Sequence, residues 1–420
     1  MTAERQSVLF VTDELFLPSR NGSQRIYRSV AERYARDRWD TFALSFYRDP
    51  KRAFSQETQG AYGKMFRDFL FLPGWNNGGT FGGKVGQGLR EVRRGLAGDV
   101  FASHPLLLAK QRPEARRVAA RLREWGIGTV YFHKVHALQL AGRIMDFYPD
   151  ARIVLDLHDD FVARAGEYAR AYEALFGALR FRQILRHHGS AWARHRFTRL
   201  SPACSRDTEL KLLARCDAVL VASPEEAERY ASFPGMAGKV VHAPWPHEPE
   251  PPPRADGADG PRRAAGFHAG FVGSEDVMNL DAVVHFRDNI LPRIRRRVPD
   301  FRFLAAGTIA AKVESILQGV PMATVWPRLD RVDTFYESIQ VAVVPLRRGT
   351  GVSVKVLEAL AFGKPIVSTH AGVRGLAPER IAGVAVTDDP EEFAAAVVER
   401  LDPNPAPLPE VEGLKRLESR

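Results

Sequence analysis

The sequence predicts two doubly wound α/β domains joined by a linker, and three observations carry that prediction. Strand-length apolar runs alternate with helical patterns along the chain. The runs are continuous rather than alternating, as strands buried on both faces of a parallel sheet must be. A stretch rich in Pro, Gly, Asp and Arg, EPEPPPRADGADGPRRAAG at 248–266, interrupts the alternation with no apolar periodicity. The length of 420 residues also exceeds what one hydrophobic core usually holds.

Taken in order, the first half opens with SVLFVT at 7–12, then a helical segment over 22–36 and a strand at 41–47. Further strands are expected at 128–133, 151–158, 217–223 and 239–243, with a helical insertion over about 160–215. Beyond the linker, strands are expected at 270–273, 301–307, 323–326, 340–346, 365–369 and 384–387. Helical patterns lie between them at 280–297, 331–339 and 352–362. The expected division is an N-terminal domain at 1–247, the linker at 248–266, a C-terminal domain at 267–403 and a tail at 404–420.

An apolar content of 45% and a charged content of 26% describe an ordinary soluble globular chain. Cys204 and Cys216 form no disulfide framework and show no metal-ligand spacing, which suits a reducing cytoplasm. MTAERQS leads directly into a strand-like run with no signal-peptide pattern, and no uncharged apolar span is long enough to cross a bilayer. A cytoplasmic protein is therefore expected. The net charge of +10 suggests an anionic partner: nucleic acid, anionic lipid or a phosphorylated small molecule. Charge alone selects none of them.

In doubly wound sheets ligands bind outside the carboxyl ends of the strands, so the loops there are where chemistry is expected. Gly349-Thr350-Gly351 follows one such strand and precedes a helix. Glycines let an anion approach the free N–H groups and partial positive charge of a helix N-terminus. Thr350 adds a hydroxyl, and Arg347, Arg348 and Lys355 add cations around the same point. Lys355 and Glu358 are three residues apart and share a helix face. The pattern suits a phosphate seat with a carboxylate for sugar hydroxyls; it also suits a plain strand–turn–helix with a surface ion pair of little worth.

Residues 343–376, VVPLRRGTGVSVKVLEALAFGKPIVSTHAGVRGL, resemble the donor-nucleotide region of GT-B glycosyltransferases of group 1, or family 4. Residues 271–307 resemble the opening of that family's C-terminal domain, and CDAVLVASPEEAERY at 216–230 resembles its late N-domain strand and helix. The resemblance implies two Rossmann-like domains facing across a cleft, with a nucleotide-sugar held mainly by the C-terminal domain and the acceptor mainly by the N-terminal one. It implies that Glu358 binds the ribose hydroxyls and that Thr350, Gly351 and Lys355 surround the diphosphate, with Gly349 and Gly273 in the same donor region.

Two departures stand out. The family often carries a Glu-x₇-Glu motif; here the second glutamate is Glu358, and the earlier position is Thr350. Relatives also tend to carry an Arg/Lys pair after the first C-domain strand, where this chain has Gly273-Ser274-Glu275-Asp276. Neutralising the diphosphate then rests on Lys355 with Arg347 or Arg348.

In the N-terminal half, Asn21-Gly22-Ser23 enters a helix where relatives place a glycine-rich loop near donor and acceptor; an ordinary capped turn has the same composition. Arg25 lies one turn inside that helix, within reach of an anionic group. Asp156-Leu157-His158-Asp159 ends a buried run, and charge there is costly unless used or paired. The resemblance implies that His158 contacts the sugar, with Asp156 orienting its imidazole and Asp159 on the acceptor side. The alternative is a satisfied strand-end cluster capping the next helix.

The implied reaction moves a sugar from a nucleoside-diphosphate sugar to a hydroxyl of a glycan, lipid-linked or small-molecule acceptor, with retention of configuration. The leaving diphosphate helps deprotonate the acceptor, so electrostatic stabilisation dominates. An inverting enzyme would need a base, for which Asp13, His158 or Asp159 are candidates. No Asp-x-Asp arrangement suits a metal–diphosphate site, so neither metal nor cofactor is expected. Residues 179–200, LRFRQILRHHGSAWARHRFTRL, interleave arginines with aromatics and suit either an anionic membrane surface, hence a peripheral location, or a solvated helix packing its aromatics inward. Two other functions fit the architecture: a sugar-nucleotide 2-epimerase, and a basic nucleotide- or nucleic-acid-binding protein, although no nucleic-acid motif is present and no nucleic-acid partner is expected.

Overall fold

The computed structural model describes residues 6–19, 22–47, 49–73, 99, 101, 105–181, 184, 192, 201–244, 266–327, 329, 332–402 and 415–416, with the backbone alone at 22, 105–114 and 415–416. The chain divides into two compact units: Met1–Ala165 with Arg196–His247, and Gly166–His195 with Glu248–Arg420.

The N-terminal unit is built on seven strands: β1 (Ser7–Thr12), β2 (Asp40–Tyr47), β3 (Asp68–Pro73), β4 (Thr129–His133), β5 (Arg152–Asp156), β6 (Ala218–Val221) and β7 (Val240–His242). They pair in parallel in the order β3-β2-β1-β4-β5-β6-β7. The run SVLFVT is buried at every position, as a central strand covered on both faces requires. Leu9, Leu44, Phe132 and Leu155 form part of the core beneath the covering helices.

Strand β3 is absent from the sequence expectation. It is half-buried along its length, lies at the sheet edge and ends at Pro73, so burial gives it a weaker signature than the central strands have.

The second unit repeats the design with β8 (Phe267–Val272), β9 (Phe303–Ala306), β10 (Ala323–Trp326), β11 (Ile339–Val344), β12 (Ile366–Ser368), β13 (Val384–Val386) and β14 (Lys415–Arg416). Their order is β13-β12-β11-β8-β9-β10-β14, parallel except for the two-residue β14, which runs against β10. Phe271, Phe303, Val325, Val343 and Val367 are buried in its core.

The helix expected over 280–297 is divided. Asp276 caps an α-helix over Val277–His285, a π-helical turn covers Phe286–Ile290, and a short α-helix follows over Leu291–Arg295. Pro292 has no N–H to return to the preceding turn, and the helix widens just before it.

The segment expected as a helical insertion over 160–215 is shared between the units. Its helix Phe161–Ala178 starts in the first unit, and from Gly166 onward it groups with the second. Ala171, Leu175, Leu179 and Ile184 are buried in the second unit's core, and the Tyr168 hydroxyl donates to Asp276. The linker, apart from Gly266, and most of the tail lie outside the described residues.

Candidate active site

Each sheet has a switch point where successive connections leave in opposite directions, and in open α/β sheets ligands bind there. In the second unit it lies between β8 and β11, the central adjacent strands in the order β12-β11-β8-β9. Gly273 follows β8, and the turn from Arg347 to Gly351 follows β11. The structure therefore brings together two segments that lie far apart in the sequence, and the candidate donor residues flank one point.

The turn is held by packing. Gly351 has φ +67°, a left-handed conformation that favours glycine. A Cβ at Gly349 would collide with the Arg374 guanidinium, which donates from Nε to the Thr350 carbonyl at 2.8 Å and from Nη1 to the Ala371 carbonyl at 2.6 Å. Arg374 thus clamps the turn. It carries no spacing signal in the sequence because it arrives from beyond β12.

The cations divide. Arg347 is committed to Asp281, a fully buried carboxylate on the helix Val277–His285, with Nε at 3.2 Å from Oδ2. Arg348 keeps a buried Nε with no hydrogen bond. Lys355 sits in the first turn of the helix Val354–Ala361, with Nζ 5.8 Å from the centroid of Phe271. Glu358 is one turn further on and buried.

Ser353 occupies the N-cap of this helix, yet its side chain makes no capping bond and its Oγ is buried without a partner. An unpaired buried polar group costs about 1–3 kcal/mol. Ser353 Oγ and Arg348 Nε, five residues apart around a helix N-terminus, are donors that a bound anion would satisfy.

In the first unit the switch point lies between β1 and β4. His133 ends β4 and Asp156 ends β5, and the two are direct register partners. His158, with φ 61°, turns back toward them, and Lys134 after His133 has φ 67°. Two non-glycine left-handed residues at adjacent strand ends are uncommon and cluster at functional sites.

His158 Nε2 lies 3.2 Å from Asp156 Oδ2, His133 Nδ1 lies 3.5 Å from the same oxygen, and the two nitrogens are 3.5 Å apart. The Tyr131 hydroxyl donates to that oxygen at 3.3 Å. All three residues are buried. Burial pulls His133 down to about 4, against the opposing effect of Asp156. Burial works to raise Asp156, but the two histidines outweigh it and hold the carboxyl well below its usual range. Tyr27 stacks on His133 with ring centroids 4.4 Å apart, and burial followed by the charges of Asp13 and Glu14 raises its hydroxyl well above the ordinary value. Asp13 Oδ1, Tyr27 Oη and His133 Nε2 are buried and make no hydrogen bond.

The other N-terminal candidates are placed as follows. Gly22 opens the helix Gly22–Arg36 and Arg25 is half-buried on it; Asn21 lies outside the described residues. Asp159 is ion-paired to Arg164. His133, Tyr131 and Ser353 were not singled out from the sequence. His133 has the same signal as His158, a polar residue ending a buried run, whereas Tyr131 and Ser353 acquire their places only from packing.

In the segment 179–200, Leu179 and Ile184 are buried and Trp192 packs against the second unit's core, while Phe181 is exposed. Arg182, Arg186, Arg194, Arg196 and Arg199 lie outside the described residues. Among the described residues no helix is long and apolar enough to cross a membrane.

Two doubly wound parallel-sheet units define an α/β protein with the GT-B fold. Residues 266–402 match the family model described as glycosyl transferases group 1, the same half of the chain in which the sequence resemblance is densest. No curated protein matches the chain. Among solved structures, the fold is similar to Anabaena HepE in complex with UDP and glucose, at 12% identity and TM-score 0.54, covering 94% of this chain and 89% of that one. It is also similar to sucrose-phosphate synthase from Thermosynechococcus elongatus, at 14% identity and TM-score 0.56, over 94% and 89% of the two chains. A third is the UDP-forming α,α-trehalose-phosphate synthase from Burkholderia vietnamiensis, at 12% identity and TM-score 0.52, over 94% and 91%. The GT-B fold follows from these likenesses, and the glycosyl transferases group 1 match lies in the second unit.

Proposed function

We propose that the protein transfers a sugar from a nucleoside-diphosphate sugar to an acceptor hydroxyl, with retention of configuration. The observation that carries this reading is the turn at 347–353: at a switch point, clamped by Arg374, and with Ser353 Oγ and Arg348 Nε buried and unpaired beside a helix N-terminus. A diphosphate satisfies both groups, and Lys355 adds a cation to stabilise it as a leaving group. Glu358, buried one turn on, takes the role of acceptor for the ribose hydroxyls in this reading. Arg347 contributes through Asp281 by positioning the turn, leaving Arg348 and Lys355 as the phosphate cations.

Uridine is the first base to test, because HepE is similar in fold and binds UDP and UDP-glucose. The experiment is a titration of the full chain with UDP, GDP and ADP by calorimetry, with and without magnesium. The reading expects one nucleoside diphosphate to bind in either condition, and Glu358→Ala and Lys355→Ala each to weaken it by about tenfold or more, as loss of a charge-assisted hydrogen bond does. Unchanged affinity in both variants would overturn it.

A further inference from the structure

We infer that His133, Asp156 and His158 form a three-ligand site for a tetrahedral divalent metal ion of the zinc type in the N-terminal unit. The three ligand atoms are His133 Nδ1, Asp156 Oδ2 and His158 Nε2, and their separations are 3.5, 3.2 and 3.5 Å. Metal–nitrogen and metal–oxygen bonds of about 2.0–2.1 Å in a tetrahedron place neighbouring ligands about 3.3–3.4 Å apart. An octahedral ion at similar bond lengths needs adjacent ligands about 3.0 Å apart. The observed triangle lies closer to the first than to the second.

Hydrogen bonding accounts for the cluster poorly. It would gather His158, Tyr131 and His133 around one carboxylate oxygen at 3.2, 3.3 and 3.5 Å. Those lengths lie at or beyond the ordinary N–H···O and O–H···O range. The two imidazole nitrogens that face each other at 3.5 Å make only a long N–H···N contact. A shared cation accounts for the triangle, since the three ligand atoms then each direct a lone pair at the ion.

The supporting structure is consistent. His133 and Asp156 are register partners on adjacent strands, so the ligands come from rigid elements, and His158 reaches them through its left-handed backbone. Tyr131 hydrogen-bonds the ligating oxygen, an outer-sphere contact of the kind that orients metal ligands. Stacking against Tyr27 and Phe10 fixes the His133 ring in place of a hydrogen bond to Nε2. Two imidazoles with one carboxylate suit zinc rather than calcium or magnesium, which take oxygen shells.

Three protein ligands leave the fourth position for water or a substrate oxygen. The site lies in the N-terminal unit and does not rest on the donor reading of the other unit. It is also distinct from a diphosphate-bound metal, for which the sequence has no Asp-x-Asp motif.

The test uses the full chain freed of any affinity tag, stripped with a chelator and reloaded with cobalt(II). We expect stoichiometric uptake, the intense visible bands of tetrahedral cobalt, their displacement by zinc, and a higher melting temperature on zinc loading. Asp156→Asn and His133→Gln should weaken zinc binding by more than about tenfold. A folded wild-type chain that takes up no cobalt, or shows the weak spectrum of an octahedral ion, overturns the inference even if both variants fail to fold. UDP titration of the same preparations reports separately on the second unit, so either reading can fail while the other stands.

Discussion

Gly307 and Gly319 both adopt left-handed backbone, with φ +92° and +77°, but only Gly307 is crowded: a Cβ there would lie 2.5 Å from the Gly273 carbonyl oxygen, while Gly319 faces open space. Gly319→Ala should cost about 1–2 kcal/mol, the left-handed penalty alone. Gly307→Ala should cost more and displace Gly273, so denaturant melts of the pair should rank them in that order. Glu209 gives a residue-scale pH effect. Burial pushes its carboxyl up to about 7, against the nearby Arg206 guanidinium. The folded state therefore holds a proton that the unfolded chain releases near 4.5. Between those values the folded state binds more protons, so this group's contribution to stability falls as pH rises, by at most about 1.4 kcal/mol per pH unit. A Glu209→Gln chain should show a flatter stability profile from pH 4.5 to 7 than the wild type.

At the scale of elements, helix caps separate structure from function. Asp389 accepts from Glu391 N at 2.8 Å and Glu392 N at 2.9 Å, so Asp389→Ala should cost about 1 kcal/mol. Ser353 holds the same position on the helix Val354–Ala361 but bonds nothing. Ser353→Ala should raise the thermal stability of the ligand-free chain, by removing an unpaired buried hydroxyl, and weaken nucleoside-diphosphate binding. A stability loss equal to that of Asp389→Ala would show that the hydroxyl is an ordinary cap. The same scale explains why the helix expected at 280–297 is broken into three pieces: apolar periodicity runs through it, while Pro292 removes the donor that a continuous ladder needs.

For the whole molecule, the unit boundary matters more than the linker. The helix Phe161–Ala178 begins beside the first sheet and places Ala171 and Leu175 in the second unit's core. Leu175→Ala should cost about 2–5 kcal/mol. The loss should appear in the melting of the second unit, where a nucleoside diphosphate, if bound as proposed, offsets part of it. If the loss appeared in the melting of the first unit instead, this helix would not belong energetically to the second.

The central strands of both sheets were legible in the sequence because burial on both faces forces continuous apolar runs, and β1, β4, β8 and β11 have them. The turn at 349–351 was legible because its chemistry is local: glycines, a hydroxyl and the start of a helix. His158 and Asp156 were legible as polar residues ending a buried run. What only the tertiary structure decided are the partnerships between distant segments: Arg347 with Asp281, Arg374 on Thr350, and His133 beside Asp156. Sequence patterns record which face of an element is buried, a property of single segments. Which side chain meets which is set by strand order and register, and these exist only once the sheets have formed.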